Sequence, residues 1–456
     1  MSEIMYKKRN FYECQRDKKA GSFEYAKGYM DYLDNSKTER DAVRYTVELA
    51  EKEGYVEYRL GDALVPGEKY YLNNRDKSLY LIRVGDGDLQ KRGIKLLAAH
   101  IDSPRLDLKQ RPLFEDGGMA FLKTHYYGGI RKYQWTAVPL ALHGVVVLRD
   151  ESVVDVVIGE DDKDPILYVN DLLPHLAKDQ SEKPLGSAIK GEQLNLLIGS
   201  EPCDDEGDAV KKNVMALFNE KYGIDEDDFV SAELCAVPAG RAREVGIDRS
   251  LIAGYGHDDK VCAYPSVTAI FETDNKEDTM IVVLADKEET GSDGNTGMQS
   301  RLLCDLIDEI CAEKGANPRA VRANSFCISS DVTAAYDPNF AEVYEKANSA
   351  YINCGVALSK YTGSRGKGGT SDASAETVGK IRRIFEENDV VWQSAELGKI
   401  DIGGGGTVAK YIANLNIDTI DIGVPVISMH APCEVISKAD LYSTHRAFVS
   451  FLNDRK

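Results

Sequence analysis

The sequence predicts an α/β protein: a mostly parallel sheet flanked by helices, with a β-rich segment inserted into it. Three observations carry this. From Gly246 onward, apolar strand-like runs alternate with helical stretches, the pattern of a layered sheet with crossover helices. Between Arg111 and Val245 the texture changes to β-branched runs and turn signals, as in HGVVVLRDESVVDVVIG. The chain has 456 residues, too many for one simple core. The expected division is residues 1–110 plus 246–456, with 111–245 inserted.

The elements follow in order. The N-terminal region reads as helical. In SKTERDAVRYTVELAEKEG, Ser36 or Thr38 is placed to cap, apolar residues recur at helical spacing, and Gly54 is the stop. KSLYLIRVG is a strand, and KLLAAHIDSPR is an apolar run ending in polar residues. A hairpin turns around Arg149 to Glu151; DDEGDAVKKNVMALFNEKYGI is a helix, and SAELCAVPAGRAREVG a strand and turn. MIVVLAD leads through a loop into the helix TGMQSRLLCDLIDEICAEKG. NSFCISSD, VVWQSAE and DTIDIGVPVIS are strands; SDASAETVGKIRRIFEEN, GTVAKYIANLN and the closing KADLYSTHRAFVSFLN are helices.

Hydrophobic residues at 43% and charged residues at 29% fit an ordinary globular protein. No apolar run reaches the roughly eighteen residues of a membrane span. The 75 acidic residues against 56 basic ones give a net charge of -19, which disfavours nucleic acid and anionic membranes. The N-terminus, MSEIMYKKRNFYECQRDKK, lacks the apolar core of a secretory signal. The nine cysteines are scattered without a C-x-x-C pair, so reduced thiols in a cytoplasmic protein are expected. IDIGGGGTVAKYIA and GSRGKGGTSD are glycine-rich but lack the spacings of phosphate loops and dinucleotide folds. Gly403–Gly406 is read as tight packing or close backbone approach to a ligand.

Open parallel sheets bind ligands beyond the carboxyl ends of their strands, and there the reactive residues collect. LLAAHIDSP offers His100 and Asp102, LIAGYGHDDK offers His257, Asp258 and Asp259, and IVVLADKEETGSDG offers Glu288 and Glu289. FCISSDVTAAYDP offers Asp331, and DIGVPVISMHAP offers His430. Singly, each is more often a satisfied polar group or a solvated turn. Together, such a set buried without partners is costly, and a metal ion removes that cost. Carboxylates with imidazoles suit zinc, with manganese or cobalt as alternatives. The adjacent Glu288 and Glu289, on an extended segment, point opposite ways and serve two places.

The ordered set H-I-D-S-P, H-D-D-K, K-E-E-T-G, S-S-D, G-G-G-T and S-M-H-A-P spans nearly the whole chain. It resembles the aspartyl aminopeptidase / aminopeptidase I family of co-catalytic zinc metallopeptidases. The resemblance implies a di-zinc aminopeptidase fold for 1–110 plus 246–456 and a dimerisation domain for 111–245. It also implies two divalent ions per subunit and removal of a peptide's N-terminal residue by metal-activated water. On its motifs, His100 and Asp331 hold one ion, Asp258 bridges both, and Glu289 and His430 hold the second. Glu288 corresponds to the general base, and Asp102 to the acid that orients His100 from behind. Asp259 supports the site from outside the ligand set, and His257 flanks it.

Two further positions follow from the resemblance. His175, in DLLPHLAKD, matches a histidine that reaches across a subunit interface to stabilise a developing oxyanion. Lys360 matches a lysine that binds an acidic substrate side chain. The loop after it, with Arg365 and Lys367, departs from the aspartyl-specific pattern, so an acidic or a neutral first residue stays open. His125, His143 and His445 are read as structural. The family implies dimers that build a tetrahedral dodecamer. Two other readings remain at this level: a related di-metal amidohydrolase such as a carboxypeptidase or deacylase, and a non-catalytic assembly or cargo protein on an inherited fold. The complete ligand set argues against the latter.

Overall fold

The computed structural model describes residues 4–455. It divides into a larger unit, running to Asp102, over Ala242–Met429 and on from Glu434, and a smaller unit of Ser103–Arg241 and His430–Cys433.

The larger unit is built on a nine-stranded sheet whose centre is four parallel strands. These are β1 (Ile94–His100), β2 (Thr279–Ala285), β3 (Phe326–Ser329) and β4 (Asp418–Gly423), in the spatial order β2, β1, β3, β4. Every residue of β2 is buried, as expected of a parallel strand covered on both faces. Leu79, Leu81, Leu97, Ala99, Val282 and Leu284 face one layer, while Tyr80, Ile82, Leu96, Ala98, Ile281 and Val283 face the other. This alternation is the period of an extended chain. Each Leu, Ile or Val side chain so buried contributes roughly 1.5–3 kcal/mol relative to exposure. Helices α1 (Lys19–Asp34), α2 (His257–Glu272) and α3 (Lys438–Asn453) pack together over the first face. Leu302–Glu313 lies on the second.

Outside the centre the sheet departs from the expected mostly parallel order. Lys69–Asn74 and Ser78–Arg83 pair antiparallel across a turn where Arg75 and Asp76 have φ of 61° and 55°. A connection that short cannot make the crossover a parallel pair needs. Ser78–Arg83 runs antiparallel to β2, and Val356–Ser359 antiparallel to β4. The architecture is therefore α/β with a mixed sheet.

Several local expectations are realised by identifiable interactions. Thr38 caps the helix Glu39–Lys52 through a reciprocal box with Asp41. Ser374 and Ser437 cap the helices that follow them. The helix expected from Thr296 starts only at Leu302; the Thr296 hydroxyl is bonded to Asp286 at 2.6 Å instead. The glycine run packs tightly: a Cβ on Gly403 would stand 1.8 Å from the Leu397 carbonyl oxygen, and Gly404 holds φ 116°. A second, five-stranded sheet goes beyond the sequence-based expectation. It orders Arg243–Val245, Leu251–Gly254, Glu434–Ser437, Pro425–Ile427 and Thr333–Ala334.

The smaller unit is a β-barrel. Ala232–Pro238 pairs with both Arg105–Asp116 and Pro139–Val147, which closes the sheet on itself and leaves no open edge along that seam. The hairpin through Arg149–Glu151 pairs Pro139–Val147 with Val153–Ile158.

Candidate metal centre

Register brings the carboxyl ends of the central strands level. His100, last in β1, pairs with Ala285, last in β2, and Ala98 pairs with Ser329, last in β3. His100, the Glu288–Thr290 turn after β2 and Asp331 after β3 thus share one rim. The start of α2 delivers Asp258 and Asp259, carried by non-helical backbone. Three overlapping trios have ligand atoms within 4.8 Å of one another: His100, Glu288 and Asp331; His100, Asp258 and Glu289; Asp258, Asp259 and Asp331. His100 Nε2 lies 3.1 Å from Asp258 Oδ1, 3.9 Å from Asp331 Oδ1 and 4.0 Å from Glu288 Oε2.

Asp102 lies beneath this cluster at 0% exposure. His100 Nδ1–H donates to the Asp102 backbone carbonyl at 3.0 Å, and Asp102 Oδ1 is 3.3 Å from the same nitrogen. Both contacts hold the imidazole with Nε2 turned toward the acids. The Asp102 carboxylate also accepts the backbone N–H groups of Glu288 and Glu289. The glutamates therefore occupy a short 3₁₀ turn, not the expected extended segment. Lys287 at φ 64° breaks the strand just before them.

The electrostatics call for a cation. Burial, then the Asp259 charge, with Glu288 and Asp258 adding to it, holds the Asp331 carboxyl well above its ordinary range despite His100. Asp259 is raised by burial and by Asp258, again against His100. Burial disfavours the His100 imidazolium, yet hydrogen bonds to Asp102 and Asp258 and the surrounding negative charge raise it well above its usual value. Asp259 Oδ1 is buried and finds no N–H or O–H donor among the described residues. Clustered oxygens and one imidazole, largely buried and mutually repelling, fit a divalent ion, whose charge reverses that logic.

The remaining candidates stand as follows. His430 follows the strand Pro425–Ile427 at φ 63°, and its Nδ1–H donates to the Gly129 carbonyl at 3.0 Å, within the smaller unit. His175 lies exposed in the 3₁₀ turn Pro174–Leu176 of the barrel unit. Lys360 is half-exposed and its ammonium is 2.5 Å from Asp372, whose other oxygen takes Lys367 at 2.9 Å. His143 and His445 are bonded to Glu160 and Glu272, and His125 to the Tyr126 carbonyl.

Asp259 joins one of the three trios, and sequence reasoning misses Glu434. The Glu434 carboxylate, 1% exposed, accepts the Asp258 backbone N–H at 3.0 Å. Its signal lies in HAPCEVIS, an acid opening an apolar run. His257, read as flanking the site, is fully buried, and burial pushes its pKa down to about 3.

The family described as aminopeptidase I zinc metalloprotease (M18) matches residues 32–452. A Clostridium acetobutylicum protein named "Probable M18 family aminopeptidase 1" is 50% identical over 436 residues, covering 93% of this chain and 94% of that one. The crystal structure of an M18 family aminopeptidase from Thermotoga maritima superposes with TM-score 0.94 at 42% identity, covering 98% of this chain and all (100%) of the other. The S. cerevisiae mApe1 dodecamer shares the fold, with TM-score 0.78 at 19% identity over 95% of this chain and 97% of its own. With the family match spanning the site and the relatives similar over nearly their full length, this chain belongs to the M18 aminopeptidase I family of zinc metalloproteases, and is a metal-dependent aminopeptidase.

Proposed function

We propose that the protein removes the N-terminal residue of peptides at a centre of two divalent ions, zinc by preference, with Glu288 as general base. The observation that carries this is the overlap of three trios, His100 with Glu288 and Asp331, His100 with Asp258 and Glu289, and Asp258 with Asp259 and Asp331, each with ligand atoms within 4.8 Å of one another. His100 and Asp331 would hold one ion and Glu289 the other, with Asp258 the ligand they would share. His430 keeps the candidate ligand role that its motif gives it, and its Nδ1–H donation sets the tautomer of a metal-binding imidazole. Bound there, zinc supplies Lewis acidity toward the scissile carbonyl and lowers the pKa of a water.

The chain's own groups do the rest. Glu288 Oε2, 4.0 Å from His100 Nε2, takes a proton from that water and passes it to the leaving amine. Asp102 holds Glu288 and Glu289 in register through their N–H groups. His175 is proposed to donate toward the developing oxyanion of a neighbouring subunit, with residues 111–245 as the dimerisation domain. A tetrahedral dodecamer, as the shared fold of the yeast enzyme invites, is the proposed assembly, and the cytoplasm the proposed location. The Lys360–Asp372 pair engages the ammonium that would otherwise meet an acidic side chain, which favours a neutral first residue over an acidic one.

A panel of aminoacyl anilides with acidic, neutral and basic first residues, each free and N-acetylated, tests this reading. Hydrolysis of the free neutral substrates alone is expected. Equal rates on the acetylated series would instead identify a deacylase.

A further inference from the structure

We propose that Tyr29 and His257, with Glu434, form a buried brace that positions Asp258, so that helix α1 sets the affinity of the metal centre. The proposal rests on the reading of Asp258 as a ligand.

The chain enters α2 irregularly. Gly256 has φ 77°, and Asp258 has φ -77° and ψ 105°, so regular helical hydrogen bonding does not fix where the Asp258 carboxylate points. Side chains from distant segments do so. On one side, Glu434 Oε2 takes the Asp258 backbone N–H at 3.0 Å. On the other, the preceding ring is held at both nitrogens. His257 Nε2 is 3.2 Å from the Ile252 carbonyl, which can only accept, so that nitrogen carries the proton. The other ring nitrogen, Nδ1, is 2.6 Å from the Tyr29 hydroxyl. The two rings are also stacked, with centroids 5.6 Å apart and planes at 26°. Tyr29 and His257 are 0% exposed.

This is more polar fixation than packing requires. A tyrosine body alone would fill the space beneath α2, but the hydroxyl here also holds the second ring nitrogen of the residue adjoining Asp258. Groups that orient a ligand without touching the ion typically set its affinity by about 10–100-fold. Tyr29, His257 and Glu434 are positioning residues in this sense. Tyr55 supplies the comparison: equally buried at 2%, its hydroxyl bonds the Ile270 carbonyl, farther along α2.

The test compares the full chain with Tyr29→Phe, Tyr55→Phe, Glu434→Ala, Glu434→Gln and Asp258→Asn. Zinc affinity is measured by competition with a chromophoric chelator, and the visible spectrum of the cobalt-substituted protein and the Tm of the metal-free protein are recorded. Tyr29→Phe and Glu434→Ala are expected to weaken zinc binding by about 10–100-fold and to shift the cobalt bands. Glu434→Gln, which keeps an acceptor oxygen, is expected to recover most of that loss. Tyr55→Phe is expected to lower Tm while leaving affinity and spectrum unchanged. Tyr29→Phe with wild-type affinity and spectrum, beside an impaired Asp258→Asn, would overturn the brace alone. Wild-type affinity in Asp258→Asn would overturn the ligand reading beneath it. If Tyr29→Phe does not fold, the Glu434 pair decides on the same two readouts.

Discussion

Asp102 Oδ1 accepts the backbone N–H of Glu288 at 3.1 Å. Its other oxygen takes the N–H of Glu289 at 3.2 Å, and Oδ1 stands 3.3 Å from His100 Nδ1. One fully buried acid therefore registers the histidine at the end of β1 against two glutamates beyond β2. Asp102→Ala removes the acceptor for both amides. A buried donor left unsatisfied costs about 1–3 kcal/mol, and loss of ligand orientation about 10–100-fold in activity. Urea unfolding and kcat measured together check this; wild-type values in both would show that the turn holds itself.

Glu288 and Glu289 differ in role although they adjoin. Glu288→Gln is expected to retain zinc and lose about 100- to 10,000-fold in kcat. Glu289→Gln is expected to lose zinc. Metal content after gel filtration separates them. The reverse pattern would exchange base and ligand, which the trio of His100, Glu288 and Asp331 makes a real contest.

Gly423 lies against the Asp331 backbone: an added Cβ would stand 1.8 Å from the Asp331 carbonyl oxygen. Gly423→Ala is expected to destabilise by about 1–3 kcal/mol, the cost of overpacking, and to weaken metal binding by displacing Asp331. Gly379, inside the helix Ala375–Glu387, has open space around it. Gly379→Ala should stabilise by about 0.5–1 kcal/mol. Denaturant midpoints and zinc affinity report both; a tolerated Gly423→Ala would mean that β4 and the Asp331 loop move apart easily.

Stability should also carry a pH signature from Asp421. Burial, against hydrogen bonds from Thr407 and Ser329, raises its pKa from 3.8 to about 6. Between those values the folded state binds the extra proton. Asp421's contribution is thus complete below its unfolded pKa and lost as pH rises through about 6. Asp421→Asn keeps an acceptor for the hydroxyls of Ser329 and Thr407, at 2.9 and 2.7 Å from Asp421 Oδ1. Its stability relative to wild type is expected to rise across that window, by about 1.4 kcal/mol for each step of one in pH, and then level off. Urea unfolding of both proteins through the window measures it, and a pH-independent difference would refute the assignment.

The site is legible where an apolar run stops at a polar residue. HID, KEE and SSD each mark a strand end, and the parallel register of β1, β2 and β3 converts that one-dimensional signal into a shared rim. The hairpin at Arg149 and the Thr38 cap are legible for the same local reason. What joins distant segments leaves no such trace. Tyr29 meets His257 across 228 residues, and Glu434 opens its strand instead of ending it. The antiparallel flank is signalled only by the turn NNRDK, whose short length outweighs the alternation seen elsewhere. The turn at Glu288 reads as extended in the sequence because its cause, the Asp102 carboxylate, lies 186 residues earlier.

The central claim is that hydrolysis depends on divalent ions held by this cluster. The protein is stripped with excess chelator, and zinc is then titrated back while bound metal and hydrolysis of an unblocked aminoacyl anilide are followed together. Activity is expected to vanish on stripping and to return with bound zinc, reaching its maximum at two ions per chain. Undiminished hydrolysis in excess chelator, with no metal bound, would contradict the account.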